Sequence, residues 1–336
     1  MSKRTLNVAV SLIVAALFTW LAVRNVDAAE FWGQFSSVTF YWLPAFLIVL
    51  ALSHFLRALR WRLLLKEREQ GKVPRSTLFA GVMFGYMMNN IFPRLGEISR
   101  PVYVAKKHGL SSGNLLGTIV VERLIDICTM LALMALVAIL LTTDFMLLEQ
   151  LLGIDGWAWY TYMILPAILI FITLSIYFFY RILIYIDQNH TVSNKLINKI
   201  ITTGRSFGEG MISIRNIRNW PAFLLLTAGI WAGYIAMTYI PFWMLGLQAQ
   251  YGLTLQSAIV LTVVSSIGVS IPTPGGIGSY HLLMQQSMWL LYGVPLATAL
   301  TYATVAHGAM MILIFALCPA ALWFDKFYTL KTGNSR

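Results

Sequence analysis

The sequence predicts an all-α, polytopic membrane protein forming a single domain over residues 1–336, with six full transmembrane helices and two re-entrant helical hairpins in an inverted-repeat-like arrangement. Three observations predict it. The 336 residues are 58% hydrophobic and 11% charged, with a mean hydropathy of +0.73, whereas soluble domains are roughly 45–50% apolar and about 25% charged. Apolar runs of the ~20 residues needed to cross hydrocarbon recur along the chain. The basic residues, 24 against 13 acidic ones, fall almost entirely on one side of those runs. A water-soluble globule is excluded, and no stretch between the runs is large enough for a soluble catalytic or nucleic-acid-binding domain. The positive excess is therefore topological.

The full spans are expected at roughly 6–23, 38–56, 115–141, 157–180, 220–245 and 296–323. Lys3-Arg4 before the first and Val26-Asp27-Ala28 after it loosely resemble a signal peptide, but a run of 18 residues exceeds the ~7–15 of a signal core. The run reads as a retained helix. Counting Lys and Arg over the connections places 22 of the 24 on one face, with Arg57 and Arg60 among those assigned to the loop after the second span. The other face carries Arg24 with Asp27, Glu30, Asp144, Glu149 and Asp155, and Arg123 lies within a span. Both termini are thus expected in the cytoplasm of a cell-membrane protein. In the connector 181–219, Leu196, Ile197, Ile200 and Ile201 lie between Lys195, Lys199 and Arg205 at helical spacing. That suits an amphipathic helix on an anionic leaflet, and a solvated connector fits equally. Cys128 and Cys318 have no spaced partner, so no disulfide and no metal or other cofactor is indicated.

Two apolar regions do not read as single helices. Residues 77–105 are interrupted at Asn89-Asn90-Ile91-Phe92-Pro93-Arg94-Leu95-Gly96-Glu97 and flanked by basic residues, which predicts a hairpin entering from the cytoplasm. Residues 254–292 are interrupted at Pro272-Thr273-Pro274-Gly275-Gly276-Ile277-Gly278 and have no Lys or Arg in their flanks, which predicts entry from outside. Broken helices entering from opposite faces place their ends around a site near the bilayer midplane, and irregular backbone at that depth needs protein or a water-filled cavity around it. The returning half-helices would aim free N–H groups and positive dipole ends at an anion such as phosphate. Simple kinks with no ligand are the competing reading.

Six charged residues also fall at membrane depth: Arg94, Glu97 and Arg100 in the first hairpin, and Glu122, Arg123 and Asp126 in the span 115–141. Unpaired, they would cost roughly 15–20 kcal/mol on the insertion scale. They are expected to close against one another, either as a structural clamp or with Arg94 and Arg100 binding a lipid phosphate that the carboxylates replace in its absence. His281 and His307 stand beside the proposed anion site as packing residues or as titrating groups coupled to movement.

Asn89-Asn90-Ile91-Phe92-Pro93-Arg94-Leu95-Gly96-Glu97-Ile98-Ser99-Arg100, then Val121-Glu122-Arg123-Leu124-Ile125-Asp126, then Pro274-Gly275-Gly276-Ile277-Gly278 resemble the transmembrane domain of the lysylphosphatidylglycerol synthase and flippase-like family over nearly the whole chain. The aminoacyl transferase domain of the longer members has no counterpart here, so the resemblance implies movement of a lipid headgroup between leaflets rather than synthesis. Many members carry an acidic residue shortly after the Pro-Gly-Gly motif and an arginine in the following helix. His281 and His307 stand at those places, so a preference for aminoacyl lipid is not carried over.

The expected function is therefore that of a lipid flippase or transporter. Its candidate substrate-binding residues are Asn89, Asn90, Pro93, Arg94, Gly96, Glu97, Arg100, Glu122, Arg123, Asp126, Pro274, Gly275, Gly276, Gly278, His281 and His307, with none expected to be catalytic. Its expected partners are membrane lipids, anionic or phosphate-linked, with no nucleic acid and with a homo-oligomer left open. An intramembrane enzyme using Glu97, Asp126 or His281 as base, and a non-transporting partner in a glycolipid or phospholipid pathway, are the alternatives.

Overall fold

The computed structural model describes residues 3–140, 206–210 and 212–333, and these are helical with short connections and no strands. The expected span 157–180, the connector residues 181–205, and Asp144, Glu149 and Asp155 lie outside the described residues. Helix α1 (Lys3–Val23) bends by 89° into α2 (Ala28–Ser36). The bend falls where Asp27 caps α2, accepting a hydrogen bond from the Ala29 N–H at 2.7 Å. A 3-10 turn (Phe40–Trp42) leads into α3 (Leu43–Leu64), followed by the short α4 (Glu67–Lys72). Then come α5 (Arg75–Ile91), α6 (Leu95–His108) and α7 (Ser112–Leu140). After the undescribed stretch follow α8 (Trp220–Met244), α9 (Leu247–Tyr251), α10 (Leu255–Ser270), α11 (Ser279–Tyr292) and α12 (Leu296–Gly333). Among the described residues, three unbroken stretches, Phe40–Leu64, Trp220–Met244 and Leu296–Tyr328, are long and apolar enough to cross a membrane, and the bent α1–α2 pair raises this to four. The protein is a helical membrane protein.

Helices α3 and α8 run antiparallel. The Thr39 N–H donates to the Met244 carbonyl at 2.8 Å and Trp42 packs on Trp243, while at the other end Arg60 reaches Thr227. Each end of this pair holds its own apolar cluster. One joins Phe46, Phe242, Leu261, Met284 and Tyr302; the other joins Trp61, Leu78, Val104, Leu115 and Phe223. The breaks expected near Pro93 and Pro274 are both present, and each produces a packed helix pair, α5–α6 and α10–α11. The first pair closes tightly because Gly85 and Gly96 face each other. A side-chain carbon at Gly96 would collide with the Gly85 carbonyl oxygen and the Asn89 side chain.

Helix α12 fixes the two pairs relative to each other. It starts just beyond the open end of α10–α11, where Gln285 donates to the Leu296 carbonyl at 3.2 Å. His307 and Met311 then pass the Pro-Gly-Gly break. At Asp325 it reaches the open end of α5–α6, accepting from Thr77 and Tyr103 at 2.6 Å and from Lys107 at 2.5 Å. At 1.5 Å per residue, Leu296 lies about 16 Å from His307, and Met311 about 21 Å from Asp325. The breaks themselves touch: a Cβ at Gly275 would lie 2.9 Å from Asn90 Oδ1 and 3.3 Å from Asn90 Cα. The two helix pairs are therefore opposed tip to tip along α12.

Candidate functional site

The charged site begins with α3. Its apolar face continues past residue 56, and His54, Arg57 and Arg60 follow at helical spacing on one buried face. This corrects the loop assignment: Arg57 and Arg60 are 2% and 0% exposed inside the bundle. They meet α7, where Glu122 and Asp126 share a face. Arg57 Nη1 lies 2.6 Å from Glu122 Oε1 and 3.0 Å from Asp126 Oδ2, and Arg60 Nη2 lies 2.6 Å from Asp126 Oδ1. From α6, Arg100 grips Glu122 with both guanidinium nitrogens, each at 3.0 Å. Its guanidinium lies 4.1 Å over the Trp61 ring, and the Trp61 indole N–H donates to Thr118 Oγ1 at 2.8 Å. Tyr234 of α8 accepts from Arg57 at 2.6 Å, and its hydroxyl lies 3.4 Å from that of Tyr86. At the rim, Arg123 and Glu97 pair at 3.5 Å, both more than a third exposed.

Three buried guanidinium groups thus face two carboxylates, and the rim pair is neutral, so this cluster holds one positive charge in excess. Of the six charges expected to close together, Glu97, Arg100, Glu122, Arg123 and Asp126 do so. Asp126 pairs with α3, however, rather than with the hairpin arginines. Arg94 stays apart. It is exposed, forms no ion pair among the described residues, and has φ +61°, the only non-glycine residue with positive φ among them. An L-residue in that region carries backbone strain. Sequence reasoning missed Arg57, Arg60, Tyr86 and Tyr234. The legible signal for the arginines was His54, Arg57 and Arg60 at three-residue steps within Leu-rich sequence.

The second group surrounds the touching breaks. Pro93 interrupts the chain between α5 and α6. Asn89 reaches across that break and accepts from the Gly96 N–H at 2.7 Å. One of the N–H groups expected to face an anion is therefore already used. Asn90 lies against Gly275, and its Nδ2 has no hydrogen-bond partner. Pro274 opens a single 3-10 turn, and Gly275, Gly276 and Gly278 all take positive φ, which glycine adopts freely. Beside them the His281 and His307 rings stack with centroids 5.1 Å apart, Tyr280 meets His307 edge-on at 4.7 Å, and His307 is 2% exposed. The sixteen candidate residues thus divide into a charged cluster and a tip junction, with Arg94 at the exposed edge. Among the described residues no group of His, Cys, Asp and Glu side chains is arranged to hold a metal ion.

Opposed broken helices beside a buried charge cluster define an integral membrane protein built around a polar interior. Residues 8–318 match the family described as the lysylphosphatidylglycerol synthase TM region, and the chain belongs to that family. It is also 26% identical over 253 residues to a UPF0104 membrane protein of Methanocaldococcus jannaschii, covering 73% of each chain. No solved structure matches it.

Proposed function

We propose that this protein is a lipid flippase or transporter that binds an anionic, phosphate-bearing headgroup and passes it between leaflets. The observation that carries this reading is the excess guanidinium charge buried between α3, α6, α7 and α8, next to two broken helix pairs opposed tip to tip. Buried charge in excess of its counter-charges is costly, and an anion supplied by the substrate offsets it with charge-assisted hydrogen bonds. In this reading the helix pairs are re-entrant, each entering from its own face, and six spans enclose them in an inverted-repeat-like arrangement. The ends of α3, α4, α6 and α12 that carry Lys66, Arg68, Lys72, Lys106 and Lys326 face the cytoplasm. The α1–α2 bend, with Arg24, Asp27 and Glu30, faces outside. Family membership supports a role around lipid headgroups.

The test is leaflet exchange of fluorescent phospholipids in proteoliposomes. Exchange with unaltered lipid supports transport, chemically altered lipid supports an intramembrane enzyme, and neither outcome leaves a non-transporting partner. Arg94 is the informative position, because nothing in the fold depends on its side chain. Asparagine tolerates the left-handed region, so Arg94→Asn keeps the thermal unfolding temperature. Exchange should fall about tenfold, the loss of roughly 1.4 kcal/mol of headgroup interaction. Unchanged exchange would remove Arg94 from the site.

A further inference from the structure

From Asn219 to Phe324 the chain contains no Asp, Glu, Lys or Arg. The side chains in that stretch whose charge changes near neutral pH are His281 and His307, and the fold stacks them on each other, ring centroids 5.1 Å apart and planes 23° from parallel. They come from different helices, α11 and α12, and meet where the two breaks touch. Neither ring nitrogen of His307 has a hydrogen-bond partner, and nor has Nδ1 of His281; the Gly275 backbone lies near His307 without completing a bond. Buried polar atoms left unpaired are costly, and two phenylalanines would stack there without that cost. Packing alone does not account for the imidazoles.

Nothing around the pair offers a counter-charge. On α11, Tyr280 meets His307 edge-on. On α12, the Tyr302 hydroxyl donates to the Thr238 carbonyl at 2.7 Å, and on α5 the Tyr86 hydroxyl faces that of Tyr234. Helix α10 carries no titratable side chain. Of the charges flanking the neighbouring segments, Arg24 lies over the Trp20 ring, Asp27 caps α2, and Glu30 and Arg94 are exposed. His281 is also the third residue of α11, where the positive end of the helix dipole opposes a cationic ring.

We infer that His281 and His307 form one proton-binding site, empty while the two breaks touch and filled when they part. Parting admits water, and an imidazole in water takes a proton from it near pH 6.5. Closing returns the proton, because an imidazolium at the closed junction meets neither water nor carboxylate. Two cationic rings on adjoining helices repel each other, so the site takes one proton. The touching state is therefore favoured above about pH 6.5 and loses ground as pH falls, by up to about tenfold in population ratio per pH unit. Proton-coupled movement of the headgroup follows where the transport reading holds; the site itself does not depend on that reading.

The experiment measures the distance between the tips. Nitroxides are placed at Ile91→Cys and Ile277→Cys, both exposed beside the contact, in the full chain in liposomes with Cys128 and Cys318 replaced by alanine. Dipolar spin–spin spectra are recorded from about one pH unit above to one below the imidazole range. The ratio of separated to touching populations is expected to rise as pH falls, with a slope of about one proton. It should be flat in the double variant His281→Gln with His307→Gln, and as in the parent in His108→Gln, at the far end of α6. Ring-labelled histidine NMR on the parent is the second measurement, independent of how the double variant folds: a His281 or His307 signal should move with the spin distance. Separation that ignores pH in the parent, responds to pH in the folded double variant, or proceeds with both ring signals fixed would overturn the assignment. Leaflet exchange absent at every pH, with the proton-linked separation intact, would sink the transport reading and leave this site standing.

Discussion

Glu122 is a junction of the charged cluster, because Arg57 and Arg100 both end on it while it is fully buried. Removing one partner of a buried ion pair typically costs about 3–5 kcal/mol, since the charges left behind cannot reach water. Glu122→Gln keeps the shape and loses the charge. It is expected to lower thermal stability in detergent by an amount in that range, whereas Glu97→Gln at the half-exposed rim should cost under about 1 kcal/mol. A comparable loss in both variants would refute the distinction between core and rim. Asn89 is a smaller case: it supplies the side-chain cap that α6 otherwise lacks, so Asn89→Ala should cost about 1 kcal/mol.

At the scale of elements, the α5–α6 pair depends on the absence of a side chain. Gly96→Ala drives a methyl group into backbone on the facing helix, which cannot move aside as a flexible side chain can. Overpacking of that kind costs about 1–3 kcal/mol or more, and here it should also splay the pair. A hydrogen-exchange experiment should show faster exchange across 81–104 in this variant while α10–α11 is unaffected. The contact between α12 and the open end of α5–α6 is polar instead. Asp325 is fully buried and accepts from Thr77, Tyr103 and Lys107. Asp325→Ala leaves those donors unsatisfied at about 1–3 kcal/mol. Lys107, already 21% exposed, can extend its ammonium to water. Proteolysis near the C-terminal end of α12 is the readout, and unchanged cleavage would show that the clasp does not hold the helix down.

At the scale of the whole molecule, the prediction is orientation. Single cysteines at Lys72 and Arg24, with Cys128 and Cys318 replaced by alanine, should be labelled by a membrane-impermeant maleimide from opposite sides, Arg24→Cys from outside. Labelling of both from the same side would invert the topology. The sequence made the two breaks legible because Pro93 and the Pro-Gly-Gly run are local facts: proline and glycine interrupt helices whatever surrounds them. It made the charge problem legible too, since Glu122, Arg123 and Asp126 sit in an apolar run. It did not reveal that α3 continues through Arg60. Two arginines in an otherwise apolar stretch look like the edge of a loop until partners on another helix are known.

What the residues alone determined was the class of molecule, the position of both breaks and the presence of intramembrane charge, because hydropathy, proline chemistry and the cost of burying ions are properties of short windows. The tertiary structure decided who pairs with whom: Arg57 with Glu122 and Asp126, Arg60 with Asp126, Arg100 with Glu122, Asn90 with Gly275, Arg94 with no charged partner among the described residues. Ion pairing falls off over a few ångströms while these partners lie tens of positions apart in the chain, so only the packing of the helices could select among arrangements that the sequence left equivalent.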